Sequence, residues 1–141
     1  MVTLKQYLTA NGQYPERELD RTLTPDLLNN AHTLLSAVNF LLVDIGIVKQ
    51  PIVTSGFRPS TVNLALVNAS KKSLHQYCLA IDFSDDKDQT LGNQLATRPD
   101  LLKKYGLFIE DLNSTRGAST NWVHLDISPT RADRPTRMFR P

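Results

Sequence analysis

A single cysteine, Cys78, stands in 141 residues, so no disulfide can form within the chain. The fold must hold without oxidation, as in a protein made in a reducing compartment. No apolar run approaches the roughly 20 residues that a membrane-spanning helix needs. The first residues, Met1-Val2-Thr3-Leu4-Lys5-Gln6, lack the basic stretch and apolar segment of a signal peptide. The expectation is synthesis in the cytoplasm without an export signal and without membrane insertion. Charge of one sign is also missing. Sixteen Lys and Arg against fourteen Asp and Glu give a formal net charge of +2, too balanced to argue for nucleic acid as a partner. A Gly-rich phosphate loop, a Ser/His/Asp nucleophile signature and a CxxC pair are all absent. Nothing repeats, and no low-complexity linker divides the chain. With 40% apolar residues, this length suits one domain, residues 1–141, around one core.

What is present reads as helices first, then strands interleaved with short helices. Thr3 can cap a helix running to about Ala10, which Asn11-Gly12 would end. Gln13 to Arg21 reads as an irregular connection. Thr24-Pro25-Asp26 supplies a cap hydroxyl, a proline at the first helical position and an acid in the first turn. Leu27, Leu28, Ala31, Leu34, Leu35, Val38, Leu41, Leu42 and Ile45 follow at helical spacing, and Gly46 terminates them. Strands are expected at Ile52–Thr54, Leu79–Phe83, Gly106–Glu110 and Trp122–Ile127, and short helices at Ser60–Val67, Thr90–Ala96 and Pro99–Tyr105. That order predicts a small α+β domain with a mostly antiparallel sheet packed against helices. From about residue 129, Arg131, Arg134, Arg137 and Arg140 recur among prolines and threonines. They read as an extended basic tail, either solvated or offered to an anionic wall polymer or a neighbouring subunit.

The residues that could carry chemistry lie in two short stretches. His75 and Asp82 belong to Ser73-Leu74-His75-Gln76-Tyr77-Cys78-Leu79-Ala80-Ile81-Asp82, and His124 to Asn121-Trp122-Val123-His124-Leu125-Asp126. Two imidazoles and one carboxylate form a mixed N/O ligand set suited to a catalytic Zn²⁺ with an open fourth position. Seven residues separate His75 from Asp82, too many for one helical face, and His124 is remote, so only tertiary folding can bring the three together. The remaining histidine, His32, sits at the margin of the long helix's apolar stripe and reads as structural or solvent-facing.

Ser73-x-His75-x-x-x-x-Ala80-x-Asp82, preceded by Ser55-Gly56-Phe57-Arg58-Pro59 and followed by Trp122-Val123-His124, resembles the zinc D-alanyl-D-alanine peptidase family. That family includes cell-wall carboxypeptidases, dipeptidases of glycopeptide resistance and phage endolysins that cut L-alanyl-D-glutamate bonds. The match runs from about Thr54 to Ser128, with the motifs in the family's order. The resemblance implies a Hedgehog/DD-peptidase-like fold and His75, Asp82 and His124 as ligands of Zn²⁺. It implies that Arg58 holds substrate and stabilises the oxyanion, a role that suits a permanently charged planar fork of donors. Asn63 is implied to face the cleft, Ser73 to support the loop or the substrate, and Trp122 to pack beside the metal strand or, second, to touch substrate. The implied reaction is hydrolysis of peptidoglycan stem peptides, by a carboxypeptidase or an L-Ala-D-Glu-type endopeptidase. A phage lysis or virion enzyme would act at the cell wall or periplasm.

Two positions depart from the family pattern. Cys78 stands where a glycine is usual, so the loop should differ or the position should not need positive φ. Its thiol reads either as a buried inert group or as an added metal ligand. Asn121 stands three residues before His124, where relatives carry the acid that acts as general base, and an amide cannot take and return a proton. Glu110, Asp111 and Asp126 are the acids that could serve instead, with Glu110 first because the adjacent strand could bring it beside the metal. The alternative is a catalytically impaired zinc-binding or structural module of the same fold, such as a virion component. A third reading is a metal-independent protein whose motif match is coincidental.

Overall fold

The computed structural model describes residues 1–66, 70–128 and 136–140. Its elements follow from local sequence. Helix α1, Leu4–Thr9, starts at Thr3, whose hydroxyl accepts from the Gln6 amide while the Gln6 side chain reaches back to the Thr3 amide, a complete capping box. The Gln13–Arg21 connection contains a short 3-10 turn, Pro15–Leu19. Helix α2, Pro25–Asp44, is capped by Thr24 and buries Ala31, Leu34, Leu35, Val38, Leu41 and Leu42, the stripe that the spacing predicts. Gly46, at φ +76°, turns the chain away. His32 is exposed, as expected.

The sheet comes from the second half of the chain. Strands β1 (Val53–Ser55), β2 (Ala80–Asp85), β3 (Phe108–Glu110), β4 (Asn121–Asp126) and β5 (Met138–Phe139) lie in the order β1-β2-β4-β3-β5. All pairings are antiparallel except β3 with β5. Helices α3 (Ser60–Ala65), α4 (Thr90–Ala96) and α5 (Pro99–Lys104) fill the connections, and a 3-10 turn, Leu74–Tyr77, leads into β2. The helix expected over Ser60–Val67 therefore ends at Ala65 among the described residues, and Val67 lies outside them. The architecture is a small mixed one: five helices and a five-stranded, mostly antiparallel open sheet among the described residues. No helix among them is long and apolar enough to cross a membrane.

The core joins α1 and α2 to one face of the sheet through Tyr7, Leu34, Leu41, Phe57, Ile81, Val123 and Leu125. Strand parity decides the rest. Ile81, Val123 and Leu125 face this core, so Asp82, His124 and Asp126, one residue on, face the other side.

The basic tail expected from about residue 129 is corrected where the chain is described. Met138 and Phe139 join the sheet, with Ile109 N donating to Arg137 O (2.8 Å) and Asp111 N to Phe139 O (2.7 Å). Phe139 is buried and Arg140 pairs with Asp111. Arg131 and Arg134 lie outside the described residues. A two-residue strand has no periodicity to read, and its partner β3 is distant in sequence.

Candidate functional site

Antiparallel pairing of β2 with β4 sets Asp82 directly opposite His124. The 3-10 turn before β2 delivers His75 to the same place. His75 Nε2 stands 3.2 Å from Asp82 Oδ2, and His124 Nδ1 stands 2.7 Å from Asp82 Oδ1. The two rings meet edge to face with centroids 5.3 Å apart. Donor atoms of all three residues lie within 4.8 Å of one another. With metal–ligand bonds of about 2.0–2.2 Å, tetrahedral donors stand roughly 3.3 Å apart, a separation that the 3.2 Å contact of His75 with Asp82 approaches. The group can hold a metal ion.

The surroundings orient the donors. His75 Nδ1 lies 2.8 Å from the Gly56 carbonyl oxygen, which can only accept, so Nδ1 carries a proton and Nε2 is left facing Asp82. His124 presents Nδ1 to the cluster and turns Nε2 toward Asp126 Oδ2, 3.4 Å away. A ligating histidine whose other nitrogen faces a carbonyl or carboxylate is the usual support of a metal centre. Burial alone would lower the His124 pKa, but the charges of Asp82 and Asp126 outweigh it and raise the ring to about 10. Burial would likewise raise Asp82, yet the two histidines hold it well below the usual carboxylate range. The 2.7 Å contact between Asp82 and His124 is thus a charge-assisted pair.

Arg58 stands beside the cluster, its Nη2 donating to Ser55 Oγ (3.0 Å) and lying 3.9 Å from Asp82 Oδ2. Its Nη1 donates to Asn63 Oδ1 (3.3 Å), and Asn63 in turn donates to Ser70 O (2.9 Å). Asn63, expected on the substrate side, is buried behind Arg58 and aims it. Ser73 and Trp122 do line the cleft, a hollow of about 440 Å³ that also takes in Arg58, Lys72, Glu110 and Phe139.

The acids separate by parity and partner. Phe108 pairs with Asp126 and Ile109 with Leu125, and the same register continued sets Glu110 opposite His124. Directly opposed side chains on one sheet face have Cβ atoms about 4.5–5.5 Å apart, so Glu110, His124 and Asp82 form one row across three strands. Asp111 points elsewhere, accepting from Arg140 Nε (3.1 Å) and the Asn113 amide (2.8 Å). Asp126 is fully buried and accepts from the Ser128 amide, so its geometry is that of a support for His124 rather than of a base. Asn121, three residues before His124, faces the opposite side of β4 and donates to Asp86 O and Lys87 O. In this chain the amide is thus turned away from the His75–Asp82–His124 group.

Cys78 corrects a second expectation. It adopts the left-handed conformation itself (φ 55°), so the loop keeps the glycine-like turn with a cysteine in it. Its thiol is fully buried, and burial pushes its pKa up to about 11, which leaves it protonated and outside the donor cluster.

Two contributors escaped the sequence. Buried Arg17, in the connection expected to be irregular, donates to Phe57 O (3.2 Å) and so anchors the loop that carries Arg58. Phe139 sits edge-on to His124, with ring centroids 5.9 Å apart. Arg17 had no periodic signal, and Phe139 only an isolated apolar pair among arginines.

Gly56 has a sharper requirement. A Cβ there would lie 2.0 Å from the Tyr7 carbonyl oxygen, so only glycine lets β1 pass α1 and offer its own carbonyl to His75. Gly56→Ala is expected to destabilise the fold by about 3 kcal/mol or more. Urea denaturation checks this, and an unchanged midpoint would contradict the close approach. No protein-family model matches this chain, and no curated protein and no solved structure matches it either.

Proposed function

We propose that the protein is a zinc-dependent peptidase that hydrolyses peptidoglycan stem peptides, with a fold of the DD-peptidase type. The observation that carries this reading is the convergence of His75, Asp82 and His124 from three separate segments into one cluster beside Arg58 and Glu110, within one cleft. It joins the motif resemblance, which names zinc and the substrate class.

A bound Zn²⁺ supplies Lewis acidity, polarising the scissile carbonyl and acidifying water at neutral pH. His75 and His124 would hold it as neutral imidazoles and Asp82 as a carboxylate. Glu110 takes a proton from the attacking water and returns it to the departing amine nitrogen as the C–N bond breaks. Arg58, fixed by Ser55 and Asn63, donates to the oxygen on which negative charge develops. A cleft of this size admits an extended short peptide and not a folded protein.

The test is incubation of the purified protein with defined stem peptides and with whole peptidoglycan. Release of new amino termini is expected, lost with a chelator and restored by zinc. A zinc-loaded protein that releases none would leave the impaired zinc-binding module as the better reading.

A further inference from the structure

We propose that strand β5 is a component of the metal centre, with Phe139 as the positioning residue that fixes the His124 ring. This rests on reading His75, Asp82 and His124 as the metal ligands. The two sides of the His124 ring are held at unequal distances, with Asp82 near Nδ1 and Asp126 behind Nε2. Nδ1 has a short contact with Asp82, whereas the 3.4 Å from Nε2 to Asp126 Oδ2 is long for a hydrogen bond. The Phe139 ring supplies a further contact, standing at 80° to the imidazole with centroids 5.9 Å apart.

Phe139 belongs to a two-residue edge strand yet is only 7% exposed. Parallel pairing with β3 accounts for this. The register Glu110↔Phe139 sets the ring beside Glu110, and both residues line the cleft. Met138, its neighbour, points the other way, is 40% exposed and does not line the cleft. Swinging the imidazole away from Asp82 on this side drives it into the Phe139 ring. The aromatic wall therefore keeps Nδ1 aimed at the cluster and excludes water from that flank. Groups that orient a ligating histidine typically change metal affinity by about 10–100-fold when removed.

The experiment measures Zn²⁺ affinity by competition with a chromophoric chelator. It compares the unmodified protein with Phe139→Ala, Phe139→Leu and Met138→Ala, recording thermal unfolding of each metal-free form. Phe139→Ala is expected to weaken binding about 10-fold or more. Phe139→Leu keeps an apolar side chain in the strand and so guards against misfolding, and it is expected to weaken binding several-fold. Met138→Ala should bind as the unmodified protein does. Unchanged affinity in both Phe139 variants would overturn the proposal, as would an equal loss in Met138→Ala, which would assign the effect to strand docking. An unmodified protein that binds no zinc overturns the metal reading itself, a result distinct from either.

Discussion

Asp82→Asn is expected to abolish zinc binding and, with it, the proposed hydrolysis. Asp82 is the residue on which the site is built, one carboxylate oxygen facing His75 and the other facing His124. An amide of the same shape is a weak ligand, and its NH₂ would face one imidazole where a carboxylate oxygen stood. Losing several kcal/mol of metal-derived charge stabilisation, at 1.36 kcal/mol per decade, means a rate at least about a thousandfold lower. The metal-free protein carries a second signature. Its His124 pKa of about 10 lies above the unfolded value of about 6.5. Stability from this pairing is therefore fully present below about pH 6.5 and lost as pH rises toward 10. Asp82 is shifted the opposite way, so its contribution is present above about pH 4 and lost on acidification. Urea denaturation in chelator at pH 6 and pH 9 should show a larger alkaline loss in the unmodified protein than in Asp82→Asn, where Asp126 alone still raises His124. An equal alkaline loss in both would contradict the Asp82–His124 pairing.

Glu110→Gln is the second large effect, and it should separate chemistry from metal binding. Glu110 continues the Asp82–His124 row onto β3 and is half-buried in the cleft wall. Glutamine keeps its size and takes away its proton acceptance. A positioned general base contributes about 10²–10⁴ in rate, so kcat should fall by that factor while zinc stoichiometry stays at that of the unmodified protein. Asp126→Asn, by contrast, should act on metal affinity, because Asp126 stands behind His124 at Nε2. A Glu110→Gln protein with full kcat would reject Glu110 as the base.

The parts of the fold that were legible share a local cause. α2 was readable because Thr24, Pro25 and Asp26 start it, the apolar stripe repeats at 3.6 residues and Gly46 stops it. The grouping of His75, Asp82 and His124 was readable because each sits in a short motif with recognisable neighbours. What stayed hidden depends on pairing at a distance. Asn121 stands by sequence where relatives carry their base, but only strand parity shows that it faces away from His124. Glu110 was singled out from the sequence, but only the β3–β4 register explains why it and not Asp111 shares the row. Arg17 and Phe139 reach the site through contacts spanning 40 residues in one case and a parallel two-strand pairing in the other. Cys78 in a left-handed turn contradicts local preference, and burial of its side chain in the core accompanies that conformation.

Elemental analysis of the purified protein and of Asp82→Asn, each loaded with zinc and then dialysed, tests the central claim most directly. One zinc per chain in the unmodified protein and none in Asp82→Asn is the expected result. No zinc in the first, or one zinc in both, would contradict a metal centre built on His75, Asp82 and His124.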